Sequence, residues 1–128
     1  MAARPALRTA RKTHRDLIVW QASMQLLVEA YRVARQLPEI ERYGLAAQLR
    51  RAAVSIPANI AEGFGRSARG DYVHHLSIAF GSLRELETHI DAITLLEYLP
   101  EVATEAAEKA AVRTAFLLRR LQRTLTAR

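Results

Sequence analysis

Residues 48–65, QLRRAAVSIPANIAEGFG, decide the fold. Leu45 just ahead of them, then Leu49, Ala52, Ile56 and Ile60, recur at three- and four-residue spacings with small residues between. That is the period of an amphipathic helix. Pro57 strains this helix, because it has no N–H for the Ala53 carbonyl and its ring crowds the same carbonyl, at a cost of about 3 kcal/mol. A polar row of Gln48, Arg51, Ser55, Asn59 and Glu62 runs up one side. A helix that only fills a core needs neither feature, so this stretch is expected to be where structure is strained or a site lies. Gly63 and Gly65 are expected to stop the helix with a left-handed cap.

Downstream, Leu76, Ala79, Leu83, Leu86, Ile90 and Ile93 form a heptad-like seam that predicts a helix over about 68–97. Ser67 is a candidate N-cap for it. Ser77, Gly81 and Ser82 are small, so a neighbouring backbone is expected to approach there. Upstream, Leu17, Trp20, Met24, Leu27, Tyr31 and Ala34 repeat the pattern and predict a helix over about 16–37 that ends at Pro38. Thr13 and Asp16 have capping-box spacing at its start. Trp20 reads as a packing anchor. The second helix covers about 43–64. Tyr98, Leu99 and Pro100 mark a break before a fourth helix over about 100–124, with Ala103, Ala107, Ala110, Thr114, Leu117 and Leu121 on its seam.

Four amphipathic helices joined by short loops predict an all-α, antiparallel, up-down-up-down four-helix bundle over 13–125, with helix 2 bent near Pro57. Residues 1–12 read as a flexible basic arm and residues 126–128 as a tail. Ile18, Leu26, Val33, Phe116, Leu118 and Leu125 fall off the seams, so they are expected on the surface and suggest a second interface.

The 128 residues suffice for one domain with a real core. There is no cysteine, which excludes disulfides, thiol nucleophiles and thiolate metal sites and fits a reducing, cytoplasmic setting. The longest uncharged run, residues 17–28, is too short to span a bilayer. The formal charge of +6 is uneven: Arg4, Arg8, Arg11, Lys12 and Arg15 open the chain without an acid, and Arg119, Arg120 and Arg123 lie near its end. Such ends can contact phosphates, keep the protein soluble, or, in the last helix, complement the helix dipole.

Catalytic patterns are missing. Glu-x-x-His pairs that hold metals in bundles have no match, and Asp71-Tyr72-Val73-His74 is a single weak relative. His74 and His75 are adjacent and point to different faces. There is no HExxH, no phosphate-binding glycine loop and no nucleophile elbow. A non-enzymatic protein without metal or cofactor is the expectation.

If helices 2 and 3 fold back about residue 66 or 67, facing positions sum to about 133. Arg51 or Arg50 then pairs with Glu85, and Asn59 or Ser55 satisfies the carbonyl freed by Pro57. Alternatively, Arg50 and Arg51 are solvated flank residues. The candidate phosphate contacts are Arg50, Arg51, Arg66, Arg69, Arg119, Arg120 and Arg123. The structural row is Gln48, Arg51, Ser55, Asn59, Glu62 and Glu85.

DLIVWQ at 16–21, ERYGLAAQLRRAAVSIPANIAEGFGRS at 41–67 and LSIAFGSLRELE at 76–87 resemble the four-helix bundle proteins encoded in 23S rRNA intervening sequences. The resemblance covers roughly residues 14–125. That family is in turn similar to the accessory variability protein of diversity-generating retroelements, a basic homopentameric barrel that binds nucleic acid and a reverse transcriptase. The resemblance implies a small bacterial bundle, a homo-oligomer with five copies favoured, RNA or DNA binding, and no catalysis. It leaves open a structural or adaptor role through a protein partner, without nucleic acid and without membrane. This chain carries DYVHH at 71–75, where relatives often have a more basic, aromatic helix start.

Overall fold

The computed structural model describes residues 12–127. Four α-helices account for most of them: α1 (Ile18–Gln36), α2 (Leu45–Phe64), α3 (Arg69–Leu95) and α4 (Glu105–Thr126). Short 3-10 turns at His14–Asp16, Glu39–Glu41 and Glu101–Ala103 lead into α1, α2 and α4, and no strand occurs among the described residues. Each helix packs on its neighbours in the chain, and α4 returns to α1. The core is a continuous cluster that includes Leu26, Leu49, Ile56, Ile60, Leu76, Leu83, Leu86, Ile90, Ile93 and Leu118, all essentially inaccessible.

The seam of α3 is buried throughout, as its spacing predicts. The buried face of α1 is broader than the expected seam, of which Trp20 and Ala34 are buried. Val19, Ala22, Ser23, Leu26, Ala30 and Val33 are buried, whereas Leu17, Met24 and Leu27 are only partly covered. The reason is that α1 contacts both α2 and α4, so its apolar stripe is broader than a two-position heptad seam. Leu26, Val33 and Leu118 are therefore core residues and not surface ones. Ile18 and Phe116 are exposed.

Helix ends follow local hydrogen bonding. The Thr13–Asp16 capping box forms, with Arg15 N–H donating to Thr13 Oγ1 at 3.1 Å and Thr13 N–H to Asp16 Oδ2 at 2.8 Å. It closes the 3-10 turn, and α1 begins two residues later at Ile18. At the far end α4 runs on to Thr126, past the expected stop.

The expected left-handed glycine cap of α2 is absent. Gly65 has φ −78 and its N–H bonds the Ala61 and Glu62 carbonyls at 3.1 and 3.2 Å. Gly63 serves packing instead, because a Cβ there would lie 2.9 Å from His75 Cβ and 3.2 Å from the Tyr72 carbonyl oxygen. Gly81 is the opposite case: nothing lies within 4 Å of an added Cβ, so no backbone approaches it. The left-handed position belongs to Glu97, with φ 57, after α3. Its N–H bonds the Thr94 carbonyl and the Tyr98 N–H bonds the Ile93 carbonyl, which is a Schellman motif without glycine.

Candidate nucleic-acid interface

Helix α2 runs unbroken through Pro57, and its polar row meets α3 side on. Ser55 Oγ and Ser82 Oγ are 2.8 Å apart. Asn59 Nδ2 donates to the Ser55 carbonyl at 2.9 Å and to its hydroxyl at 3.1 Å. Asn59 Oδ1 faces His75 Nδ1 at 3.2 Å, so that nitrogen carries the proton and Nε2 turns toward Glu62 Oε2, 3.7 Å away. Glu62 in turn takes Arg66 Nη2 at 2.6 Å. A chain of polar contacts, part-buried from Ser82 to His75 and exposed at Glu62 and Arg66, therefore runs along the line where Gly63 lets the two helices close up.

This geometry corrects two expectations. Ser55 meets Ser82 and not Ile78, although the register as a whole stays within about one helical turn of the expected one, since the Ser55–Ser82 pair sums to 137 and the Asn59–His75 pair to 134 against 133. The expected pairing of Arg51 or Arg50 with Glu85 does not form either, because the side chains turn elsewhere: Arg51 bonds Gln48 at 2.9 Å, Arg50 reaches the Arg42 carbonyl at 3.4 Å, and Glu85 lies 3.4 Å from His89. Asn59 also binds the Ser55 carbonyl and not the Ala53 carbonyl that Pro57 frees. His75 is the member of the network that sequence reasoning missed. Its one available signal was the antiparallel register, which sets α3 residues near 75 opposite Asn59.

The seven candidate phosphate contacts do not form one surface. Arg66 and Arg69 sit at the turn from α2 into α3, and Arg69 Nη1 donates to the Leu125 carbonyl at 3.0 Å, which brings the end of α4 beside them. Arg123 lies exposed in the last turn of α4. Arg119 is turned onto Phe80, with its guanidinium carbon 3.5 Å from the ring centroid, and Arg84 covers the same ring at 4.7 Å. Arg120 lies 5.8 Å from the Phe116 ring centroid. Arg50 and Arg51 belong to the opposite half of α2, roughly 20 Å from its C-terminal end at 1.5 Å per residue.

Charge is polarised along the bundle. The end holding the start of α3 and the end of α4 carries Arg66, Arg69, Arg120 and Arg123, and Lys12 and Arg15 precede α1, whose 3-10 turn touches α2. There the His14 ring packs edge-on against Trp20 at 5.1 Å, and burial, then Arg15, holds its pKa below the ordinary histidine value. Asp16, Glu62 and Asp71 share that end, and at the other stand Glu39, Glu41, Glu97, Glu101 and Glu105 with Arg35 and Arg42. Arg4, Arg8 and Arg11 of the expected basic arm lie outside the described residues. Among the described residues no group of three or more His, Asp or Glu side chains is placed to hold a metal ion, and no helix is long and apolar enough to cross a membrane.

Residues 15–120 match the family described as 23S rRNA-intervening sequence protein. The chain belongs to that family. Its fold is also that of a solved structure from Bacteroides thetaiotaomicron, titled a protein with unknown function from the S23 ribosomal protein family. The two share 24% identity and a TM-score of 0.76, over 82% of this chain and 98% of the other. A comparison with curated proteins finds no match. The family's function is unknown, and its members bring no sign of catalysis to these residues.

Proposed function

We propose that this member of the family is a non-enzymatic, cytoplasmic, self-associating protein that holds a nucleic-acid backbone at the basic end of its bundle. The observation that carries this reading is the convergence of Arg66, Arg69 and Arg123 from three helix termini, set against an acidic opposite end. Arginines in that arrangement contact phosphate oxygens and supply binding without base readout. Phe64 and Tyr72, the aromatics nearest these arginines in the chain, are partly buried and packed edge-on to each other at 6.2 Å. They are poorly placed to stack bases, so sequence-specific single-strand recognition is not part of the reading. The family's description makes structured RNA the first polyanion to test.

Fluorescence anisotropy with a labelled RNA hairpin and a labelled DNA duplex, at 50 and 200 mM salt, tests the proposal. Affinity is expected to fall steeply with salt, on the order of tenfold per few phosphates neutralised. Arg66→Glu with Arg69→Glu and Arg123→Glu should abolish it, while Arg50→Glu with Arg51→Glu should have the smaller effect. A flat salt response, or equal loss from both sets, would overturn the assignment to this end. Self-association is the second component, with five copies the number implied by the resemblance.

A further inference from the structure

The corner between α3 and α4, at the end away from Arg66 and Arg69, combines features that each destabilise the isolated chain. Residues 85–108 carry seven acids and no lysine or arginine. Asp91, Glu97, Glu101, Glu105 and Glu108 form no ion pair among the described residues. Glu105 and Glu108 lie in the first turn of α4, where the helix dipole favours an acid. Asp91 and Glu97 have no such reason to be acidic. They flank the C-terminal end of α3, where the dipole favours cations, and the last turn of that helix holds no basic residue. Glu97 is also the residue with φ 57, a conformation that glycine adopts without strain. Beside it, Leu95 and Leu96 are 83% and 56% exposed, and Val102 in the 3-10 turn that follows is 71% exposed. Strain, an opposed dipole and bare apolar side chains in one corner point to a ligand that relieves them on binding.

We propose that this corner docks a lysine- or arginine-rich segment of a partner protein, with a cationic side chain in a groove and an apolar side chain on the leucines. The groove lies between the end of α3 and the start of α4 and measures about 450 Å³, with Asp91, Leu95, Glu101, Glu105 and Glu108 among its walls. Charge selects the occupant. A lysine or arginine there meets several carboxylates that have no internal cation, and the same carboxylates repel RNA, DNA and anionic lipid. The cations that share this end leave the corner acidic. Arg42 is held by Glu39 at 3.4 Å and lies 5.5 Å from the Tyr43 ring centroid, while Arg35 completes the last turn of α1. An apolar companion is required as well, because Leu95, Leu96 and Val102 gain only from contact with another apolar group. The site stands independently of the proposed RNA-binding end, which is about 30 Å away along α2.

Fluorescence anisotropy on the full chain with a labelled amphipathic peptide of leucine and lysine tests this, beside a lysine-only peptide and a leucine–glutamate peptide. The leucine–lysine peptide is expected to bind best and the leucine–glutamate peptide not at all. Glu97→Lys with Glu101→Lys should weaken binding by about tenfold or more. Leu95→Ser with Leu96→Ser, both at exposed positions, should weaken it by a similar factor. Glu29→Lys with Asp71→Lys changes the net charge equally and should have the smaller effect. Glu97→Gly separates docking from folding: it relieves the strained backbone, so it should melt at a higher temperature and still bind the peptide more weakly. Equal loss from the control pair, or a lysine-only peptide that binds as tightly, would reduce the attraction to overall charge and overturn the site. No binding of the leucine–lysine peptide overturns it as well. Sedimentation velocity on the free chain tests for a second copy in the corner: a mass lowered by Glu97→Lys with Glu101→Lys would make that copy the occupant and overturn the partner assignment. None of these outcomes depends on Arg66, Arg69 or Arg123, which the RNA measurement reads separately.

Discussion

Tyr98 donates its hydroxyl proton to Glu41 Oε2 at 2.7 Å, across 57 residues of sequence. The bond ties the connection between α1 and α2 to the connection between α3 and α4. The other carboxylate oxygen of Glu41 accepts the Leu45 N–H at 2.9 Å, so one side chain both caps α2 and links two loops.

That dual role gives the fold a pH signature. The Leu45 N–H, then the Tyr98 hydroxyl, hold the Glu41 carboxyl below its ordinary value. A carboxylate depressed on folding contributes stability that is complete above its unfolded value, about 4.3, and is lost as pH falls through the lower folded value. The same bond, ahead of burial, raises the Tyr98 phenol. Its contribution is complete below about pH 10 and is lost as pH rises beyond that. Thermal melts from pH 3 to 11 should show both declines, and Tyr98→Phe should flatten the alkaline one. Glu41→Gln should flatten the acid one. A variant that melts lower by the same amount at every pH would contradict the linkage.

Two glycines play parts other than the expected ones: Gly63 is the site of close approach and not a cap, and Gly81 faces open space. Gly63→Ala puts a Cβ against His75 Cβ and the Tyr72 backbone, which must shift, and overpacking of this kind costs about 1–3 kcal/mol. Gly81→Ala meets nothing and removes a flexible residue from the interior of α3, which is worth about 1 kcal/mol of stabilisation. Urea denaturation of the two variants should move in opposite directions.

The contrast between those glycines shows what can be read from spacing and what cannot. The seam of α3 was legible because every third or fourth residue is large and apolar. The face of α1 was read too narrowly: Trp20 and Ala34 were placed on it, while Leu26 and Val33, off the heptad spacing, are buried beside them. The polar row of α2 was visible from Ser55, Asn59 and Glu62, but its partners depend on the register of α3. An offset of about one turn or less exchanges Ser82 for Ile78 opposite Ser55, and the choice of side-chain rotamer sends Arg51 to Gln48 and Glu85 to His89. Local spacing carries no information about that offset. The number of residues in the turn does, but only once it is known that Gly65 continues in right-handed geometry.

Glu97 offers a test of local strain. It holds φ 57 at the end of α3, in a region that costs a non-glycine residue about 1–2 kcal/mol. Glu97→Gly should therefore raise stability by about 1 kcal/mol, less the extra chain entropy glycine brings to the unfolded state. Glu97→Ala should not, since alanine keeps the Cβ. Equal melting temperatures for the glycine and alanine variants would show that the Schellman geometry is not a source of strain.

The register itself is open to a double-mutant cycle. Ser55 and Ser82 share a 2.8 Å contact in a partly buried setting, with Asn59 bonded to the same Ser55 hydroxyl. Replacing one serine by alanine leaves the other without its partner, at a cost of about 1 kcal/mol. The double variant removes both groups, so its loss should be smaller than the sum of the single losses by about 0.5 kcal/mol or more. The Arg51–Glu85 cycle is the matched control. Those residues have different partners, Gln48 and His89, and should show coupling near zero. Coupling in the second cycle and none in the first would overturn these side-chain partners and restore the Arg51–Glu85 pair. The expected result fixes α2 against α3 through two hydroxyls and an amide, with Arg66 held at the basic end by Glu62.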